Sequence, residues 1–452
     1  MKKINVLSFI VIFITLLYPP ISKCQVQDVQ KVESELLKKA SQNIEIYRKS
    51  DAVISFKTSS GNPLQNAKVE IKQKTHDFLF GNIIFDLINN RGREPYKPEI
   101  FKQRFKELFN YAVFPFYWGA YEPTPGMPNW QSMLPVIEWC KSNGITTKGH
   151  PLVWTYPAGV PKWLSRFPIT LTEELLKARL INTVSGFEGK IDIWDVVNEP
   201  VNTRAWRHTD AKLDEMGHFK EPIKDAADFT EMPLRWAYTG NPKSHLIVNE
   251  YGQIIDKTIR ERFIELIKEL QSRNTPISGL GIQAHLWMTD WFNPKDLFET
   301  YDELSKLGYP LHITEFIPQS SGKEITGNWR KGKWTLETQA EFTEQFYRLS
   351  FGHPAVISIN WWGLSDRNIW QKGGGLITEE YEPKPVYNRL KKLIHEEWNT
   401  NLLINTDKNG EIKFRGFYGK YDVILTTDDG KIHSFDIHLN KNEENKWIFT
   451  IK

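Results

Sequence analysis

From residue 78 onward, short apolar runs alternate with longer stretches in which apolar positions recur every three or four residues. The runs fall at 78–85, 111–118, 146–154, 191–199, 245–251, 280–286, 311–316 and 356–362. Each is short and rich in β-branched and aromatic residues, so each predicts a strand. Between them, 99–110, 135–143, 172–185, 257–273, 294–307 and 336–350 carry the helical period. The strand runs are apolar almost throughout rather than on alternate residues. That is the pattern of parallel strands covered on both faces. Eight strands alternating with helices predict an α/β chain folded as an eight-stranded (β/α) TIM barrel over residues 76–398. A doubly wound open sheet is the alternative. It usually carries a glycine-rich phosphate loop after its first strand, and this chain has none there.

On either side of the barrel the pattern changes. Apolar positions at Val29, Val32, Leu36, Leu37, Ile44 and Ile46 predict an amphipathic helix over 28–48. Two short strands, 52–56 and 67–71, flank the turn Ser59-Ser60-Gly61-Asn62-Pro63. The barrel's last helix is expected at 384–398. Beyond it, 410–414, 421–425, 433–437 and 447–451 read as strands, with turns at Lys408-Asn409-Gly410 and Asp429-Gly430. Residues 25–75 are therefore expected to form a helix and small β element. Residues 399–452 should form a small β domain, either a structural flank or a carbohydrate-binding piece.

The first 24 residues read as an export leader. Lys2 and Lys3 precede an apolar run over 6–17 that is too short to span a bilayer comfortably. Ser22 and Cys24 are small residues at the positions a leader peptidase prefers, so cleavage is expected after Cys24; lipidation of Cys24 is the alternative. The expected destination is periplasmic, cell-surface or extracellular, with no membrane span. Cys140 would then be the sole cysteine, leaving no internal disulfide.

Charge and composition narrow the partners. A net charge of +3, with both signs mixed along the chain, gives no footprint for nucleic acid or an anionic membrane. The aromatic content stands out, with 17 Trp, 16 Tyr and 26 Phe. They suit a large aromatic core, a groove of flat rings for sugars, or both. A polysaccharide partner and a monomer are expected.

The chemistry concentrates where strands end. Ile191-Asp192-Ile193-Trp194-Asp195-Val196-Val197-Asn198-Glu199-Pro200 begins as a buried strand and stops at a proline that cannot donate to a ladder. Leu311-His312-Ile313-Thr314-Glu315-Phe316 also ends in a Glu. Either Glu alone could be a solvated loop residue. Together, two carboxyls at one barrel mouth are the minimum equipment for cleaving a glycosidic bond. One must carry a proton for the departing oxygen, and the other must stay ionised to attack the anomeric carbon. If they approach to about 5–5.5 Å, the mechanism retains configuration. Other run ends add His150 and Trp154; Asn249, Glu250 and Tyr251; Gln283 and His285; Trp361 and Trp362; then Asp366 and Trp370. His285 can hold an ionised nucleophile in place, and Asn198 can donate to a sugar hydroxyl. Strict alternation would put Asn198 and Glu199 on opposite faces. Both reach one site only if pairing ends or bulges there. Two His and a Glu could also bind zinc, but no supporting ligand spacing accompanies them, so neither a metal nor another cofactor is expected.

At these residues the sequence resembles glycoside hydrolase family 10, the endo-β-1,4-xylanase family. The matching stretches are Gly149-His150-Pro151-Leu152-Val153-Trp154, Trp194-Asp195-Val196-Val197-Asn198-Glu199, Gln283-Ala284-His285, Ile313-Thr314-Glu315, Trp362-Gly363-Leu364-Ser365-Asp366 and Pro383-Lys384-Pro385-Val386-Tyr387. The resemblance implies a retaining mechanism with Glu199 as acid/base and Glu315 as nucleophile. It implies that His150, Trp154, Asn198, Gln283, His285 and Trp362 line the subsite of the cleaved sugar, with Trp370 nearby; Tyr251, at its own strand end, is a further substrate-binding candidate. There are departures. Where the family usually shows Asn-Glu-x-Lys-Trp, this chain has Phe114-Pro115-Phe116-Tyr117-Trp118, so Phe114 and Tyr117 replace a polar pair on the glycone side. Thr155, Glu250 and Phe316-Ile317 also differ from the usual residues. Endo-hydrolysis of β-1,4-xylan is the leading expectation. The same chemistry on a related β-linked polysaccharide, and a non-catalytic carbohydrate-binding barrel, are the alternatives.

Overall fold

The structure is a computed structural model that describes residues 23–89, 96–201, 222–285, 289–326, 330–367 and 369–451. All but the last two residues of the expected leader lie outside that range. At the centre, eight strands close into a barrel: β3 (Leu79–Ile83), β4 (Tyr111–Pro115), β5 (Thr146–His150), β6 (Ile193–Asn198), β7 (His245–Glu250), β8 (Gly279–Ile282), β9 (Leu311–Phe316) and β10 (Val356–Trp361). They follow one another in chain order round the barrel, and β10 closes on β3. Every neighbouring pair is parallel. All eight predicted runs became barrel strands. Strands such as β4 and β9 are buried at every position, because the barrel interior takes one face and the helices take the other. The helix Pro222–Gly240, between β6 and β7, was not among the predicted ones. It carries Pro233 inside it, which ordinarily argues against a helix interior.

The chain ends form one further unit. β1 (Lys49–Thr58) lies between β12 (Glu411–Phe417) and β15 (Lys446–Ile451). β2 (Lys68–His76) lies between β11 (Asn401–Asn405) and β13 (Gly419–Thr426), with β14 (Ile432–Leu439) at the edge. The two sheets share a core of Ile54, Phe56, Val69, Ile71, Val423 and Leu425. The N-terminal β element and the C-terminal strands are thus two parts of one sandwich. Two strands alone could not bury their apolar face, so the N-terminal pair uses strands supplied from the other end of the chain.

Arg48 pins this sandwich to the barrel. Its Nε donates to the Phe351 carbonyl (2.7 Å), and Nη2 donates to those of His353 and Val356 (2.6 Å each). The guanidinium also lies over the Phe78 ring at 4.8 Å. Val356 and Phe78 sit where β10 and β3 begin. The sandwich therefore abuts the strand-start end of the barrel, away from the strand ends that carry Glu199 and Glu315. The helix Lys23–Tyr47 packs alongside, with Ala40 fully buried against Gly352.

Candidate active site

Two backbone features bring the strand-end residues into one place. The pairing of β6 with β7 slips between Asp195 and Val197. Glu199, just past the end of β6, then has φ +59°, a left-handed conformation uncommon for a residue with a side chain. Asn198 and Glu199 therefore face the same site despite being adjacent. Ala284 repeats the device at φ +54°, between Gln283 and His285. Such conformations cost on the order of 1–3 kcal/mol each and persist where the surroundings over-determine them.

Glu199 is held by three donors. Trp154 Nε1 reaches Oε2 at 2.8 Å, while Gln283 Nε2 and Asn198 Nδ2 reach Oε1 at 2.9 and 3.1 Å. Its own amide donates to the Asn249 carbonyl at 2.7 Å. Glu315 is held differently. His285 Nε2 lies 2.9 Å from its Oε2, Asn249 Nδ2 donates to Oε1 at 2.8 Å, and His150 Nε2 stands 3.8 Å from Oε1. Neutral donors surround one carboxyl; two imidazoles face the other.

The result is a split in acidity. Burial pushes the Glu199 carboxyl above the ordinary carboxylate range, and the charge of Glu315 adds to this. The bonds from Gln283 and Trp154 oppose it without reversing it. Burial also works upward on Glu315, but His150 and His285 together outweigh it and hold the group below the ordinary value. Two chemically identical groups are thus driven apart, one toward the protonated form and one toward the ionised form.

Asn249 couples them. Its amide nitrogen also donates to Asn198 Oδ1 at 2.7 Å, and its Oδ1 accepts from the Thr314 hydroxyl at 2.6 Å. Sequence reading placed Asn249 at a strand end but gave it no role. Its parity with Asn198, directly opposite in the β6–β7 register, is the signal that could have found it.

Below this layer lies a buried charge cluster that sequence reading missed. Asp195 Oδ2 accepts from Lys148 Nζ at 2.6 Å and faces His150 Nδ1 at 2.8 Å, with all three side chains essentially inaccessible. Burial works upward on the Asp195 carboxyl, but Lys148 and His150 outweigh it and keep it ionised below the usual range. Asp195 thereby orients His150 toward Glu315. Replacing Asp195 with Asn leaves Lys148 buried without its counter-charge, a loss that typically costs about 3–5 kcal/mol. Urea unfolding of Asp195→Asn should show a loss of that size. A loss below about 1 kcal/mol would mean that the Lys148–Asp195 pair contributes little to the stability of the fold.

Aromatic rings build the walls. The Trp362 ring stands 4.8 Å from His150 and 6.5 Å from His285, and Trp370 lies 5.1 Å from His285. Tyr117 packs edge-on to His150 (5.5 Å) and Trp154 (5.8 Å). Tyr156, unremarked in the sequence, stacks on Trp154 at 4.8 Å and is 60% exposed, a free flat face at the rim. Tyr251 donates its amide to Glu250 Oε1 (3.0 Å). Its phenol is pushed up to about 12 by burial, with Glu250 and Glu199 adding to this. Trp361, by contrast, faces away from the mouth and packs on Phe316 at 5.4 Å. Asp366 is committed to structure: it accepts from Lys384 Nζ at 3.1 Å and from the Gly375 amide at 2.7 Å. That pair joins the Trp362–Asp366 stretch to the Pro383–Tyr387 stretch. Cys140 is buried, which pushes its thiol up to about 12 and leaves it unreactive. Among the described residues, no three His, Cys, Asp or Glu gather as metal ligands.

The chain is similar to proteins already known. The chain is 27% identical over 412 residues to the anti-sigma-I factor RsgI6 of Acetivibrio thermocellus, covering 89% of this chain and 48% of that protein. It is 27% identical over 394 residues to endo-1,4-beta-xylanase 1 of Arabidopsis thaliana, covering 85% of this chain and 37% of the other. This chain thus spans about half or less of the length of those relatives. Among solved structures, native xylanase 10B of Thermotoga maritima superposes with a TM-score of 0.58 at 24% identity, over 71% of this chain and 96% of that one. That likeness speaks for the fold. The model of glycosyl hydrolase family 10 matches residues 77–393, which is most of the chain and the whole barrel, and the chain belongs to that family.

Proposed function

We propose that this protein is an exported, retaining glycoside hydrolase that cuts β-1,4-xylosidic linkages within xylan. The observation that carries the reading is the contrast in surroundings of the two strand-end carboxyls: the neutral donors Trp154, Gln283 and Asn198 hold Glu199, while two imidazoles, His285 and His150, face Glu315. Glu315 is the nucleophile: His285 and His150 keep it ionised, and it attacks the anomeric carbon to form a glycosyl ester. Glu199, kept protonated by burial, delivers its proton to the departing glycosidic oxygen. Now ionised, it then takes a proton from the water that hydrolyses the ester. Gln283, Asn198 and Trp154 hold Glu199 in line, and the Asn198–Asn249 amide pair stands between the two carboxyls. Trp362, Trp370 and Tyr156 supply stacking faces for successive sugars. The names of the xylanase relatives support the substrate. One relative is named for a regulatory role, so a barrel that senses sugar is the competing reading. The acid-and-nucleophile pair favours hydrolysis, since binding alone has no use for it.

The test is digestion of purified unbranched β-1,4-xylan beside mixed-linkage glucan, mannan and galactan. Short xylo-oligosaccharides should accumulate from the xylan early, before xylose does, as endo-cleavage requires. Release from another glycan alone would reassign the substrate. No release from any would favour the sensing barrel.

A further inference from the structure

Outside the ring of barrel strands, and apart from the reacting pair, lies a cavity of about 600 Å3. That is well within the range of ligand pockets, about 300–1,000 Å3. One wall is the helix Ile169–Gly186, which turns Leu175, Ala178, Arg179, Asn182 and Gly186 toward it, positions spaced to share one helical face. The facing wall is the short helix Trp118–Tyr121, with Glu122 and Trp130 beyond it. This short helix divides two spaces. Tyr117, just before it, packs on His150 at the barrel mouth, while Trp118 lines the outer cavity.

An aromatic face and two cations share the outer cavity. Trp130 is 42% exposed, and such a ring can cover the flat face of a sugar. Arg179 is only 6% exposed, and its guanidinium lies over the rings of Trp118 (5.4 Å) and Tyr121 (5.2 Å). Its Nη2 donates to the Phe116 carbonyl. Its Nε and Nη1 find no acceptor among the described residues and are shut off from solvent. Burial pulls the pKa of this group down only to about 10, so it stays charged at neutral pH. Lys190 adds an exposed ammonium at the edge. Glu122 is the one acid among the described lining residues, and both its oxygens are taken. Oε2 accepts from Trp118 Nε1 and Oε1 from the Gly126 amide, at 2.7 Å each. Two cations thus stand against one committed carboxylate. A buried cation with so little compensation is costly, and an anion arriving beside it offsets part of that cost through a wall that screens poorly.

Resting on the polysaccharide reading above, we propose that this outer cavity binds a sugar that carries a carboxylate, such as a hexuronic acid borne by the polymer. The sugar ring lies on Trp130. Its carboxylate meets the Lys190 ammonium and faces the charge of Arg179, and Asn182 is placed for its hydroxyls. The enzyme then holds an acidic polymer at a second point while the backbone is cut at the barrel mouth.

The test is calorimetric titration of the full chain with glucuronosyl-xylobiose and, separately, with neutral xylotriose. A charge-assisted bond that the neutral sugar lacks corresponds to about tenfold or more in affinity, and the acid should bind tighter by that factor. Trp130→Ala and Lys190→Glu alter exposed side chains and should fold. Each should remove most of the acid's advantage. An acid that binds no tighter than xylotriose overturns the proposal. So does an advantage that survives either substitution, since the acid then sits elsewhere. Cleavage of unbranched xylan is not at stake in these titrations, so the xylanase reading stands or falls by its own digestion.

Discussion

Glu315→Gln should abolish turnover while leaving the fold intact. The amide is isosteric with the carboxylate and still accepts from Asn249 through its oxygen, so the surrounding network survives. It cannot attack the anomeric carbon, and no other ionised group among the described residues takes its place beside His285. Loss of a covalent nucleophile commonly costs on the order of 10^4-fold or more in kcat. The substitution also removes the negative charge that helps keep Glu199 protonated. The pKa of Glu199 should therefore fall in this variant, which NMR titration can follow. Retention of even a tenth of the wild-type rate on polysaccharide would remove Glu315 from the role of nucleophile.

Glu199→Gln should behave in a different and diagnostic way. On polysaccharide the leaving alcohol needs a proton, and losing the acid should cost about 10^2–10^4-fold. An aryl glycoside with a good leaving group needs none, so the first step should keep close to its normal rate. The ester intermediate should then accumulate, because the base for its hydrolysis is missing. The pH profile carries the same signature. Glu315, whose acidity is shifted downward, must be ionised, so activity falls as pH drops through its pKa. Glu199, shifted upward, must be protonated, so activity falls as pH rises through its pKa. The variant should lose the alkaline limb and keep the acid one. An unchanged alkaline limb would assign the proton donor elsewhere.

How much of this was legible beforehand depends on the range of the interaction. The eight strands could be read because each is a continuous apolar run, and burial on both faces leaves no other pattern. Glu199 and Glu315 could be read because each stands at the end of such a run. The network between them could not. Asn249 meets Glu315 across 66 positions of sequence, and no local pattern reports that contact. The Lys148–Asp195–His150 cluster is hidden for the same reason, since a Lys within a strand reads as solvated until the barrel closes over it. Alternation alone would have separated Asn198 from Glu199, and the bulge and left-handed residue that reunite them are backbone events. The shared sandwich was missed because β1 and β2 find their partners more than 300 residues away.

The division of labour between the two carboxyls is tested most directly by trapping the ester. A 2-deoxy-2-fluoro-β-xylobioside with a dinitrophenyl leaving group slows both steps but the second more, because the fluorine destabilises the oxocarbenium-like transition state and the leaving group rescues the first. Incubation followed by proteolysis and mass spectrometry should find one fluoroxylobiosyl group on the peptide that contains Glu315, and none on the peptide that contains Glu199. A label on Glu199 or on any other residue would contradict the assignment of the nucleophile and, with it, the retaining mechanism proposed for this pair.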